Sequence, residues 1–423
     1  MSDFYQHGSG IGTLPRLCPD WTRAVEQPLR QAAPRLPKVA LVLPALFSEF
    51  RTPAMPRILR ALEDADYIHR VILSLDRAEP AEYRHARDRL ASLPMKTSIL
   101  WHDGPGLAAA REHLAAGGLR MPGPGKGRGV WFSLGLALGD PEVDVVAVHD
   151  CDIVNYSREM LARLLMPLLR PSFGYRFSKG YYSRFDDRLL YGRVTRLFFM
   201  PMISALVEVL GPSGLLTFLG AFRYPLSGEF AADRSLVRRL RVAPHWGLET
   251  SMLADLHQLL QHDEICQVEL AENYRHKHQP NGGSDGSSGL SRMCREIAVS
   301  LFAALERDGM RLGGAFLNSL CASYRKHARS RLRPYRATAM INGMSYDQSR
   351  EERTIDSFAH SLERAWELPR ESGRAALPSW GALEARFPDF GERLGDWVFH
   401  QDASRPLALA AGENSAMSTG LLF

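Results

Sequence analysis

Cysteine is scarce. The 423 residues hold five, Cys18, Cys151, Cys266, Cys294 and Cys321, widely spaced and without a CxxC pair. An odd number at such spacing excludes a disulfide framework and a structural zinc site, and fits a reducing, cytoplasmic compartment. Long hydrophobic runs are also lacking. The most apolar stretch, 197–222, is interrupted by Pro201, Glu208, Gly211, Pro212 and Gly214, short of the roughly 18 apolar residues a membrane span needs. It reads as two buried helices joined by a turn, and no membrane partner is expected. The first residues, MSDFYQHGSG, carry an acid and no apolar core, so they do not read as a signal peptide. Neither sign of charge dominates: 52 basic residues face 47 acidic ones, a net charge of +5. That balance suits a small anionic substrate. With no basic helix interleaved with aromatics, no nucleic-acid partner is expected. A Walker A loop, a dinucleotide fingerprint directly after a strand, and internal repeats are all missing.

What is present is an ordinary globular composition, 45% hydrophobic and 23% charged, with mean hydropathy −0.20. It is long enough for about two or three domains. Short apolar runs at 38–44, 67–76, 97–101 and 143–149 read as buried strands. Amphipathic or apolar stretches at 53–64, 81–92 and 130–138 read as the helices between them. This alternation predicts an α/β fold with a mostly parallel central sheet. Residues 1–37 read as an irregular arm or short helix, 38–280 as the α/β domain, and 281–423 as a helical C-terminal region that follows the flexible Pro280–Ser288 segment. In parallel sheets ligands sit at the carboxyl ends of the strands, which singles out Glu49, Asp76, Asp150 and Asp152.

Five features could carry chemistry. Asp150-Cys151-Asp152 places two carboxylates at i and i+2 after a buried strand, suited to a hard cation such as Mg2+ or Mn2+; the plainer alternative is a strand-end cap near Asn155. The glycine-rich loop 122–129 opens a helix with Lys126 inside it, an anion-binding arrangement or simply a flexible turn. His276 and His278 follow the strand-like 265–270. They offer imidazoles to a metal, or are surface histidines. Glu229 and Glu249 each lie just after a glycine, as cleft-facing acids or as first-turn helix residues. Gly192-Arg193-Val194-Thr195, after Lys179 to Arg184, supplies cations and hydroxyls for a phosphate or carboxylate.

In their order these motifs resemble the glucosyl-3-phosphoglycerate synthases, retaining glycosyltransferases of the GT-A nucleotide-sugar-binding fold. The resemblance runs from Val39–Leu46 with Glu49, through Gly125-Lys126-Gly127 and its helix with Trp131 and Ser133-Leu134, to the aspartates 150 and 152. It continues with Lys179, Tyr182 and Arg184, Gly192–Thr195, Pro225–Glu229, Gly247-Leu-Glu249, Gln267-Val268 and the histidine loop. It covers about residues 38–280. The resemblance implies that Pro44, Ala45, Leu46, Glu49, Asp76, Lys126, Asp150 and Cys151 line a nucleotide-sugar donor. It gives Asp152 and His276, with His278 as the substitute, to Mg2+ or Mn2+. Gly192, Arg193, Thr195 and His278 would hold 3-phosphoglycerate. Glu249, Asp152 and Lys126 form the implied catalytic set, with Glu249 near the reacting carbon. A homodimer is expected on the same ground. UDP-glucose is the favoured donor. The alternatives are a transferase using mannose or a different acceptor such as glycerate, and a non-catalytic nucleotide-sugar-binding protein.

Overall fold

The computed structural model describes residues 6, 10–186, 188–275, 289–368 and 376–401. Eight strands form one sheet: β1 (Gly12–Leu14), β2 (Val39–Leu46), β3 (Arg70–Asp76), β4 (Lys96–Trp101), β5 (Val145–Val148), β6 (Phe177–Tyr182), β7 (Phe230–Asp233) and β8 (Ile265–Ala271). Their order is β1-β8-β6-β7-β5-β2-β3-β4. Every strand but β7 runs in one direction; β7 is antiparallel to both its neighbours, β5 and β6. The expected mostly parallel sheet is therefore present, and the helical C-terminal region with it.

The strands explain the two cores. Side chains alternate across a strand, so Ala40 and Val42 of β2 enter the core on one face while Val39, Leu41 and Leu43 enter the other. Helices Ala54–Glu63 and Pro80–Leu90 bury Met55, Ile58, Leu59, Tyr83 and Ala86 in the second core. On the opposite face lies helix Lys126–Leu138, whose side chains from Gly127 onward are all buried. A helix apolar all round needs cover on every side. The C-terminal region supplies part of it. Trp380 seats on Gly135, where a Cβ would come 1.7 Å from its ring. The Nε1–H of Trp131 donates to the Pro378 carbonyl at 2.8 Å, and that of Trp380 to the Trp131 carbonyl at 2.8 Å.

Two sequence expectations change. Residues 1–37 hold one of the two expected forms, the short helix Gln27–Ala32, and also a strand that was not expected, Gly12–Leu14, which pairs with Cys266–Val268 and extends the sheet edge. The helix expected from Val130 begins at Lys126, inside the glycine-rich loop. The apolar stretch 197–222 is two helical segments broken at Gly211, which has φ +85°. No helix among the described residues is long and apolar enough to cross a membrane. All five cysteines are free.

Candidate active site

Because β2, β3 and β5 are parallel, Leu46, Asp76 and the segment His149–Asp152 leave the sheet at one edge. The antiparallel β7 brings its first residue, Phe230, opposite Val148. Gly228 and Glu229 thereby reach the same edge. Gly228 lies so close that a Cβ there would come 2.4 Å from Asp150 Oδ2. The glycine in this turn is a spatial requirement for keeping Asp150 in place.

The glycine-rich loop solves a similar problem. A Cβ at Gly125 would come 2.4 Å from the Pro244 carbonyl oxygen, and one at Gly127 only 1.8 Å from that of Ala243. The Arg128 N–H donates to the Pro244 carbonyl at 2.8 Å. The first helical turn thus lies against the backbone just upstream of helix Leu248–Leu259, which carries Glu249 in its first turn. The result is a three-residue cluster. Lys126 Nζ stands 2.8 Å from Asp150 Oδ1 and 3.3 Å from Glu249 Oε1.

Burial pushes the Lys126 ammonium toward its neutral form, but Asp150 and Glu249 outweigh it and hold its pKa above the ordinary lysine value. Burial raises the Asp150 and Glu249 carboxyls, and Lys126 opposes both shifts. Below the cluster lies Lys179, fully buried, its Nζ 2.7 Å from the Ser227 carbonyl. Burial brings its ammonium down to about 8 against the pull of Glu249 and Glu229. Glu229 is wholly buried and accepts from the hydroxyls of Tyr182 at 2.8 Å and Tyr274 at 2.6 Å. Those two rings stack at 3.7 Å. Glu229 is therefore an internal brace rather than a cleft-facing acid.

Other candidate residues lie at the ends of β2 and β3 and in the loop before the segment Val194–Phe199. Pro44, Ala45 and Leu46 end β2, and Glu49 is buried in the turn Phe47–Arg51 that follows. Cys151 is 2% exposed, and burial, then the nearby Asp150, Asp152 and Glu49, push its thiol well up. It points into the core. Asp76 ends β3, followed by Arg77 at φ 55°, an uncommon backbone state for a residue with a side chain. Gly192, at φ +70°, permits the tight entry into the π-helical segment Val194–Phe199 that buries Thr195. Arg184 ties this loop to the aspartates. Its carbonyl accepts from the Tyr191 N–H at 2.9 Å. Its guanidinium, despite burial, is held above its ordinary pKa by Tyr224, Tyr182 and Asp152.

Oxygen-rich carboxylates suit Mg2+ or Mn2+. Asp150 is committed to Lys126, so Asp152 is the carboxylate suited to a cation. His276 and His278 lie outside the described residues. The chain leading to them is pinned beside the aspartate loop: Val154 N–H donates to the Arg275 carbonyl at 2.8 Å, and Arg275 N–H to Asn155 Oδ1 at 2.9 Å. The Asp152 carboxylate fits a divalent cation. A separate group, His69, Asp140 and Glu142, sits at the opposite, amino-terminal edge, where Arg70 and Lys96 already answer the carboxylates.

The sequence offers Lys179 and Tyr182 as a cation and a hydroxyl for a phosphate or carboxylate, and Glu229 as a cleft-facing acid or first-turn helix residue; the structure turns all three inward, where Tyr274, which carried no role, joins them. Their assembly depends on β6, β7 and β8 lying side by side, which no local spacing announces.

Beside Asp76, His102 is buried with Nε2 2.8 Å from Ser74 Oγ. Burial, with Arg128 and Arg111, pushes its imidazole down to about 3. Below the ordinary pKa near 6.5 the unfolded chain takes up a proton that the folded one refuses, so stability falls as pH drops. Between pH 6.5 and 5 this group should cost about 1.5–2 kcal/mol. In urea unfolding at those two pH values, His102→Gln is expected to shrink the loss by that amount. An unchanged loss would show that His102 does not control it.

No family model matches the chain. Among curated relatives, the glucosyl-3-phosphoglycerate synthase of Persephonella marina is 41% identical over 396 residues, covering 93% of this chain and 97% of the relative. That of Methanococcoides burtonii is 31% identical over 399 residues, covering 93% and 96%. Among solved structures, the chain resembles the Mycobacterium tuberculosis glucosyl-3-phosphoglycerate synthase in complex with Mn2+, UDP-glucose and phosphoglyceric acid. The TM-score is 0.51 at 25% identity, covering 71% of this chain and 88% of that one.

Proposed function

The chain belongs to the glucosyl-3-phosphoglycerate synthase family, and from that premise we propose that it transfers glucose from a nucleoside diphosphate donor to 3-phosphoglycerate with retention, forming glucosyl-3-phosphoglycerate. UDP-glucose is the donor we favour. The observation that carries the reading is the Lys126–Asp150–Glu249 cluster at the carboxyl edge of the sheet.

The chemistry follows from the charges. Lys126, charged at every physiological pH, faces the negative charge that develops on the departing diphosphate. Asp150 holds Lys126 and the donor's ribose or sugar hydroxyls. Glu249, 4% exposed, sets a carboxylate beside the reacting carbon, where an oxocarbenium-like state is positive. Groups fixed in place for charge that develops later need little reorganisation. A divalent cation would be held by Asp152 with His276 or His278, and would supply further positive charge to the diphosphate. No side chain is assigned as general base; a departing phosphate oxygen takes the acceptor proton. Gly192, Arg193 and Thr195 receive the acceptor phosphate. The sheet domain carries the chemistry, and the helical C-terminal region braces it through Trp380. Free cysteines support a cytoplasmic setting, and a homodimer is part of the same reading.

The test is a donor–acceptor matrix with Mg2+ or Mn2+: UDP-, ADP- and GDP-glucose and GDP-mannose against 3-phosphoglycerate and glycerate, following released nucleotide and sugar product. Product from a glucose donor and 3-phosphoglycerate is expected. Arg193→Ala should raise the KM for 3-phosphoglycerate about 10- to 100-fold, the scale of one charge-assisted contact, while leaving that for the donor nearly unchanged. Product with glycerate alone, or equal loss of donor and acceptor affinity in the variant, would overturn the acceptor assignment.

A further inference from the structure

The acceptor loop is not held by the sheet domain alone. Residues 188–199 are contacted by three helices of the C-terminal region, Phe316–Ser330, Leu332–Ile341 and Gln348–Trp366, and by the turn before the third. The Tyr324 hydroxyl donates to the Leu197 carbonyl at 2.8 Å. The Phe198 ring meets Tyr324 and Phe358 edge-on, at 5.9 and 5.7 Å. Just before the third helix, the Ser345 N–H donates to the Arg188 carbonyl at 2.7 Å.

The centre of this contact is the buried Arg196. Its guanidinium faces two ways. Toward the loop, Nε donates to the Tyr191 carbonyl at 3.1 Å and Nη2 to the Leu190 carbonyl at 3.5 Å. Toward the C-terminal region, both terminal nitrogens donate to the buried Glu351 carboxylate, Nη2 at 2.7 Å. The guanidinium also lies over the Tyr335 ring at 5.0 Å. The Arg196 N–H closes the turn on the Gly192 carbonyl at 3.0 Å. Gly192–Thr195, the residues read as the acceptor site, are thereby bracketed. Leu190 and Tyr191 before them are tied to Arg196 after them, and Glu351 fixes the tie.

Stability alone is a weak reason for such a pair. The attraction of two buried charges is offset by their loss of water, and apolar residues of similar volume often serve as well. What the pair supplies is direction. A guanidinium fork holds a carboxylate in one plane and one orientation. With the fork seated on Glu351, Arg196 presents Nε and Nη2 to the loop carbonyls in one way. Placement matters at a binding site, where a shift of about 1 Å can cost about 100-fold.

We propose that Glu351, supplied by the C-terminal helical region, is a positioning residue for the acceptor: through Arg196 it sets the backbone on which Gly192, Arg193 and Thr195 meet the phosphate. The inference rests on the acceptor reading given above. It makes acceptor affinity depend on a region outside the sheet domain.

Two variants test it in the full-length protein. Glu351→Gln leaves the buried Arg196 without the carboxylate that answers it. It is expected to raise the KM for 3-phosphoglycerate about 10- to 100-fold, with the KM for UDP-glucose within about twofold. It should also lower the melting temperature, because a buried charge loses its partner. Arg196→Met with Glu351→Leu removes both charges and fills the space. Its melting temperature should return toward that of the unaltered protein. Its acceptor KM should stay raised, because the side chain at 196 no longer reaches the two carbonyls. Recovery of the acceptor KM along with the melting temperature would overturn the proposal and mark the pair as a stability element alone. So would an unchanged acceptor KM in either variant, or a donor KM that rises in parallel. Added to Arg193→Ala, the paired replacement should cause little further loss, because the groups act through one another. Full additivity of the two losses would count against positioning and overturn it. If the unaltered protein glucosylates no phosphoglycerate, the acceptor reading fails instead. Calorimetric titration with inorganic phosphate, without donor, then decides the positioning by itself. Weaker binding in the paired replacement supports it; equal binding, or none in either protein, overturns it.

Discussion

Asp152→Ala is expected to lower kcat for glucose transfer by about a thousandfold, the scale seen when one preorganised contact to a developing charge is removed. Asp150 cannot replace it, because that carboxylate is held by Lys126 at 2.8 Å. A cation left with fewer protein ligands should bind more weakly. The Mn2+ concentration for half-maximal activity is therefore expected to rise as well, by about tenfold or more. Asp152→Asn keeps one oxygen and should fall between the two. The donor's diphosphate remains a partial ligand set, so raising Mn2+ should recover part of the lost activity in Asp152→Asn. Steady-state rates over a Mn2+ series, with the melting temperature as a control for folding, measure all three effects. Activity within tenfold of the unaltered protein at the same Mn2+ requirement would remove Asp152 from the metal role. It would also leave the carboxylates at this edge without an assigned cation.

Most of the parallel half of the fold was legible because its strands are short, apolar and bounded. Residues 38–44, 97–101 and 143–149 carry their own signal, and the structure places β2, β4 and β5 there within a few residues. Of the three strands that went unread, β1, β6 and β7, two have little signal to give. β1 has three residues and β7 only four, Phe-Ala-Ala-Asp, so neither shows a period. Both exist because a neighbouring strand is available to pair with, which is a tertiary fact. The helix at Lys126–Leu138 begins earlier than expected because Gly127 and Gly129 are poor helix formers. They are kept for close approach to Ala243, Ser74 and His102. The site divides in the same way. Asp150, Asp152, Lys126 and Gly192–Thr195 announce themselves by residue type and order. The brace of Tyr182, Glu229 and Tyr274 does not, because its members come from three different strand ends.

Lys126→Met should produce the second large effect, in activity and in stability together. The ammonium answers two buried carboxylates, Asp150 and Glu249, and removing one partner of a buried ionic cluster costs about 3–5 kcal/mol. With Lys126 gone, burial acts on both carboxyls with less opposition, and their pKa values rise further. At neutral pH the folded variant then binds more protons than the unfolded chain, so its stability should increase as pH is lowered from 7 toward 5. The unaltered protein should gain less in this way, because Lys126 there opposes the rise of both carboxyls, while His102 acts alike in both proteins. Activity should fall about 100- to 1,000-fold, with the acidic limb of the pH–rate profile moved to higher pH. Lys126→Met combined with Glu249→Gln separates the causes. Neutralising one of the unpaired carboxylates should recover part of the stability and none of the activity, because Glu249 itself is proposed to face the reacting carbon. Urea unfolding at pH 5, 6 and 7 and rate profiles over the same range read both consequences. A Lys126→Met protein whose stability and pH profile match those of the unaltered chain would mean that the three-residue cluster does not hold the site's charge. The reading built on it would then fall.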